Sequence, residues 1–214
     1  MNKNSLGRIP SPYDARDFML SDYIPLGAVQ AVTSKAWVFN HAPLDQGETP
    51  HCVGFSMADW GICEPVIDPY GNPDGDRFYY LCKAVDGEPK AEDGSTVRSA
   101  AKVLQQLGKI KAYAFAANMT EIKYWLLNRG PVIMGTVWTN DMFTPDSSNH
   151  IHPTGAVAGG HAYLVNEWTA GGFLGIQNSW GTAWGRNGKA YISAKDFTKL
   201  FRHGGECLAA VELA

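Results

Sequence analysis

The change of texture at Pro131 constrains the fold more than any other feature of this chain. Before it, STVRSAAKVLQQLG places apolar residues at 97, 100, 101, 103, 104 and 107, which is a helical period, with Ser95 as candidate cap and Gly108 as stop. NMTEIKYWLLNRG repeats the pattern, with Thr120 or Asn118 as cap and Gly130 as stop. VGFSMADWGIC follows a Gly/Pro turn and predicts a helix starting near Cys52, and DRFYYLCKAV predicts another. After Pro131, the runs PVIMGTVW, HAYLVNEW, GFLGIQNSW and KAYISA are short, β-branched or aromatic, and parted by Gly and Asp/Asn turns, as strands are. Helices first and strands later predict an α+β protein with two segregated lobes. Residues 1–42, with scattered Pro and Asp as in IPSPYDARDF, predict an extended arm and edge strand laid over the surface of the β lobe. The helical lobe is expected over 43–112 and the β lobe over 113–214.

Composition narrows the partners. With 214 residues, 45% of them apolar, the chain can bury a sizeable core as one unit or two closely packed lobes. A net charge of -3 and scattered basic residues supply no electrostatic case for nucleic acid or an anionic membrane. MNKNSLGRIP lacks the apolar core of a signal peptide and no apolar run reaches bilayer length, so a cytoplasmic monomer is expected. Cysteines at 52, 63, 82 and 207 match neither a zinc spacing nor a dense disulfide framework. Cys63 falls roughly 16 Å along the helix from Cys52, too far for a disulfide. His150, His152, Asp141 and Asp146 fall in TNDMFTPDSSNHIHPTG, but their spacing fits no helix-based ligand pair. That stretch reads as a long polar loop between two barrel strands, overhanging a groove, and neither metal nor organic cofactor is expected.

Three short strings carry candidate chemistry. In DQGETPHCVGFS, Cys52 is either a small buried hydrophobe or a nucleophile, and a nucleophile needs a base. His161 in AGGHAYLV follows two glycines that permit close backbone approach, and is either a structural histidine or that base. Asn178 opens NSWGTAWGRNG, a strand end followed by a turn rich in Gly and Trp.

The order Gln46, Cys52, His161, Asn178, with Gly-Gly-His and Asn-Ser-Trp-Gly around the last two, resembles the papain-like cysteine peptidases. NSWGTAWGRNGKAYIS is the most specific piece, and the likeness runs from about Pro43 to Ile192, with FYYLCKAVDG and DGSTVRSAAKVLQQLG similar to the family's middle helices. The resemblance implies a helical lobe and an antiparallel, barrel-like β lobe with the active site in the cleft between them. It implies an endopeptidase acting on protein or peptide, of a prokaryotic or phage type, the stretch before the motifs being shorter than a full propeptide. The same residues would also serve a thiol acyltransferase, a cell-wall peptide hydrolase, or a peptide-binding relative without turnover. Cys52 would be the nucleophile, its thiolate favoured by the helix N-terminus and a protonated His161. Asn178 would fix the imidazole under the cover of Trp180, and Gln46 would donate to the oxyanion, a role whose loss costs about a hundredfold or more in rate.

By the same resemblance Gly94, Gly135, Gly159, Gly160, Ala162 and Trp180 contact substrate. Gly135, Gly159 and Ala162 would line a roomy pocket for the second residue before the cut, expected to take large apolar or aromatic side chains. The chain departs from the family pattern Cys-Gly-Ser-Cys-Trp at the nucleophile. Thr49 stands where a disulfide cysteine usually does, and Val53 replaces the Trp. His51 is an added titratable group beside Cys52, expected to face solvent or else to modulate the nucleophile.

Overall fold

The computed structural model describes residues 5–25, 27, 32–86 and 93–213. Helix α1 (Cys52–Ile62) is buried along its whole length, and α2 (Asn72–Asp86) crosses it at a point without side chains. A Cβ on Gly54 would stand 2.3 Å from the carbonyl oxygen of Gly75, so Gly54 is what lets the two backbones touch. Helix α3 (Val97–Gln106) starts one residue later than its sequence suggests. Ser95 belongs to a short strand, β3 (Ser95–Thr96), paired in parallel with β1 (Arg8–Ile9), so the cap falls to Thr96, whose hydroxyl accepts the Ser99 N–H. Helix α4 (Met119–Asn128) is capped by Asn118, whose side chain accepts from Thr120 and Glu121.

The second half builds an antiparallel sheet from β4 (Ile110–Phe115), β5 (Val132–Thr139), β6 (Val157–Trp168), β7 (Phe173–Gln177), β8 (Lys189–Ser193) and β9 (Glu206–Leu213). Its order is β4-β9-β5-β6-β7-β8, and β2 (Lys35–Ala36) adds to β6. Helix α5 (Ala194–Arg202) follows β8. One core packs Phe55, Met57, Trp60, Phe78 and Leu104 of the helices against Ile133, Ala162 and Leu164 of the sheet. The other joins Ile122, Leu126, Tyr163 and Phe197 around Trp138. The architecture is α+β and two-lobed, with β6 shared between the cores.

Two features depart from expectation. Strands β4 and β9 carry no clear signal, and helix α5, capped by Ser193 with Phe197 and Leu200 on its buried face, was not among the expected elements; GECLAAVELA is a weak strand former that becomes central because it inserts between β4 and β5. The N-terminal arm runs along the surface, with Tyr13 and Phe18 exposed, but it is pinned by two buried side chains and pairs with β3 as well as with the sheet. Arg8 and Leu20 are both buried, Arg98 and Asp17 form an ion pair, and the Phe115 N–H donates to the Phe18 carbonyl at 2.9 Å. Extended, Pro-rich chain lacks partners within itself, so it satisfies its backbone on β3, β4 and β6 instead.

Candidate active site

Cys52 is the first residue of α1, where backbone N–H groups have no partners within the helix and the dipole favours negative charge. The loop before it is braced by its own side chains. Thr49 Oγ1 donates to the Gln46 carbonyl at 2.6 Å, and Gly47 N–H donates to Asp45 Oδ1 at 2.9 Å. Thr49 therefore does by hydrogen bonding what its departure from the family pattern left open. Gln46 is oriented by Ser179, whose hydroxyl donates to Oε1 at 2.9 Å. That leaves Nε2 to donate, and it does so to the carbonyls of Thr49 at 2.7 Å and Ser5 at 3.2 Å.

His161 lies on β6 opposite Thr136 of β5, fully buried. Its Nε2 meets Asn178 Oδ1 at 2.9 Å. The same oxygen also accepts the backbone N–H of Ser179 at 2.9 Å, a group that can only donate. The atom facing the ring is therefore oxygen, Nε2 carries the proton, and the neutral ring keeps its lone pair on Nδ1, which has no hydrogen-bond partner. Two indoles enclose the imidazole. Trp180 stacks on it at 4.6 Å and 26°, and Trp138 meets it edge-on at 4.9 Å. Trp138 was not distinguished by any sequence signal, since an aromatic in a strand reads as core.

Helix α1 packs on β6, and a backbone hydrogen bond from Ala162, the residue after the histidine, acts on the Cys52 thiol. Burial pushes that thiol up to about 11, against the opposing pull of backbone hydrogen bonds from Ala162, Gly7 and Val53. Burial likewise lowers His161 to about 4, with Asn178 opposing. Between those values both groups are neutral, so the site as it stands holds a thiol and an imidazole rather than an ion pair.

The arm adds to the burial of Cys52. Gly7 N–H donates to the Gly160 carbonyl at 3.1 Å, and Ser95 N–H donates to the Gly7 carbonyl at 2.9 Å. The residues expected to contact substrate surround this segment. A Cβ on Gly94 would lie 2.4 Å from the Gly7 oxygen, on Gly159 2.9 Å from Leu6, on Gly160 2.1 Å from the Arg8 oxygen, and on Gly135 2.9 Å from Arg8 Nε. Leu6, Gly7, Arg8 and Glu206, which ion-pairs with Arg8, had no local signal of a role at the site, since their partners lie far along the chain.

Other expectations change. His51 is buried rather than solvent-facing, because its ring stacks on Tyr79 at 3.8 Å and Nδ1 meets Asp76 at 2.7 Å. In the loop after β5, Phe143 stacks on Trp180 at 5.4 Å and its carbonyl accepts from Trp184 Nε1 at 3.0 Å, so this loop covers the aromatic wall. His152 meets Asp146 at 2.8 Å, His150 stacks on Phe173 at 4.5 Å, and Asp141 accepts from Thr154 at 2.6 Å.

Residues 54–207 match the model of the papain family of cysteine proteases, and the chain belongs to that family. Among solved structures it is similar to xylellain, a cysteine protease from Xylella fastidiosa, at 22% identity and a TM-score of 0.75 over 90% of this chain and 91% of that one. It is also similar to procathepsin B S9 from Trypanosoma congolense, at 14% identity and a TM-score of 0.65 over 99% and 88%. Cathepsin B-like cysteine proteinase 4 of Caenorhabditis elegans is 28% identical over 99 residues, 45% of this chain but only 27% of that relative's length.

Proposed function

We propose that the protein is a cysteine-type endopeptidase in which Cys52 attacks the carbonyl carbon of a peptide bond. Transfer of the thiol proton to His161 Nδ1 gives the thiolate and imidazolium, and attack gives a tetrahedral intermediate. Its oxyanion accepts from Gln46 Nε2 and from the Cys52 backbone N–H. His161 then protonates the departing amine, leaving a thioester on Cys52. Water, deprotonated by His161, attacks the thioester and releases the acid, which restores the thiol. The supporting observation is the hydrogen bond of His161 Nε2 to Asn178 Oδ1, which directs the unprotonated nitrogen away from Asn178 and leaves it available to the thiol.

The segment over the groove must give way first, because Gln46 Nε2 is engaged by the Ser5 carbonyl and Gly7 acts directly on the thiol. Uncovering the site returns water to both groups, so the thiol falls and the imidazole rises toward their ordinary values, and the ion pair becomes accessible. The test is labelling of the full chain with a peptidyl epoxide followed by mapping of the adduct. The expected result is an adduct on Cys52 and peptide hydrolysis that vanishes in Cys52→Ala while the fold persists. Unaltered hydrolysis by that variant, freed of contaminating protease, would rule the mechanism out.

A further inference from the structure

We propose that Tyr79 is a positioning residue, which holds the edge where a bound peptide pairs at a fixed place relative to Cys52. The inference rests on the peptidase reading above and deepens it. The arm shows how a peptide sits on that edge, because β1 pairs in parallel with β3, Arg8 opposite Ser95 and Ile9 opposite Thr96. Gly7 then meets three partners together. Its carbonyl accepts the Ser95 N–H at 2.9 Å, its N–H donates to the Gly160 carbonyl at 3.1 Å, and its backbone acts on the Cys52 thiol. A peptide seated on β3 is thereby set against the sulfur, so the place of β3 decides where the peptide's carbonyls fall.

Strand β3 cannot fix that place by itself. It is only two residues long and is entered through Gly94 at φ +101°, a region that glycine visits as freely as others. The hold comes from α2. Gly94 N–H donates to the Tyr79 hydroxyl at 3.1 Å, and Ser95 Oγ donates to Asp86 Oδ2 at 2.7 Å. Tyr79 and Asp86 lie about two turns apart on α2 and share a face, so one rigid helix holds both residues of the turn into the edge. Tyr79 also ties this hold to the helix of the nucleophile. Its ring stacks on His51, the residue before Cys52, at 3.8 Å and 24°, and a Cβ on Gly54 would stand 2.4 Å from its backbone nitrogen. Burial raises the Tyr79 phenol, against the opposing Gly94 N–H, so the hydroxyl stays neutral. Phenylalanine would keep the ring and its stack, so packing alone does not call for the hydroxyl.

The test compares two substrates on the full chain, with and without Tyr79→Phe. One is a fluorogenic peptide extending several residues before the bond, which pairs on β3, and the other is 4-nitrophenyl acetate, which is too small to do so. Both need the arm lifted, so its coverage cancels in the ratio of their kcat/KM values. Losing the Gly94 bond should lower the peptide-to-ester ratio by about tenfold or more, since a misplacement of about 1 Å can cost about a hundredfold. The same ratio is read without turnover from the rates at which a peptidyl epoxide and iodoacetamide alkylate Cys52. A hydroxyl that serves only the fold would lower both members of each pair together, and an unchanged ratio overturns the inference. Alkylation ratios that fall as expected in a chain without hydrolysis would leave the inference standing and remove the peptidase reading. A Cys52 that neither reagent labels in the unaltered chain would overturn both.

Discussion

Asn178 and His51 mark the two ends of what single residues disclose. Asn178 was legible because the string around it is short, local and specific, and the same holds for Gln46, Cys52 and His161. Cys52 opens α1 and Asn178 directly follows β7, while His161 is marked by the two glycines before it within β6. His51 was misjudged as solvent-facing because its partners, Asp76 and Tyr79, come from α2, and nothing near position 51 announces them. Arg8 and Glu206 were illegible for the same reason in stronger form, since they lie 198 positions apart. His51→Ala removes a stacked ring and a polar contact to Asp76, whose side chain is half exposed, so most of the loss comes from the ring. The expected cost is about 1 kcal/mol, read as a lower denaturant midpoint with an unchanged slope. An unchanged midpoint would mean that the His51 contacts add nothing to the junction of α1 and α2.

At the scale of elements, helices with caps and glycine stops declared themselves and β9 did not. Periodicity is a local property, whereas β9 is a strand because β4 and β5 flank it. Helix α1 carries a further feature that its periodicity hides. Asp59 is fully buried and neither of its carboxylate oxygens has a hydrogen-bond partner among the described residues. Burial raises its pKa well above the ordinary carboxylate range, so the folded protein holds it protonated. The consequence for stability follows from linkage. Below the unfolded-state value, about 3.9 for an aspartate, the group is protonated in both states and its full contribution is present. As pH rises toward the raised folded value, only the unfolded chain releases the proton, and that stability is progressively lost. Asp59→Asn should therefore melt close to the parent near pH 4 and above it near pH 8, with the gap widening between. A constant gap across that range would show that ionisation of Asp59 is not linked to folding.

The whole molecule holds together without a covalent cross-link. All four cysteines are free and buried, and Cys63 is pushed up to about 12 by burial, so the three thiols outside the candidate site are poorly disposed to react. Strong reductant should leave the melting temperature within error, whereas losing an ordinary structural disulfide costs about 2 to 5 kcal/mol. A clear fall on reduction would reveal a bond that the folded chain in solution makes and this structure lacks. What binds the N-terminal segment into the whole is instead its own anchorage, with Leu20 in the core beside the sheet and Asp17 on Arg98. The peptide lying over Cys52 is thus tethered to the groove that it fills. Once lifted, it stays at an effective concentration on the order of millimolar, set by the length of the tether and not by how much protein is present. Dilution leaves the groove covered, and only a rising supply of competing peptide displaces the segment, so occupancy of the groove reports the abundance of peptide rather than of the protein.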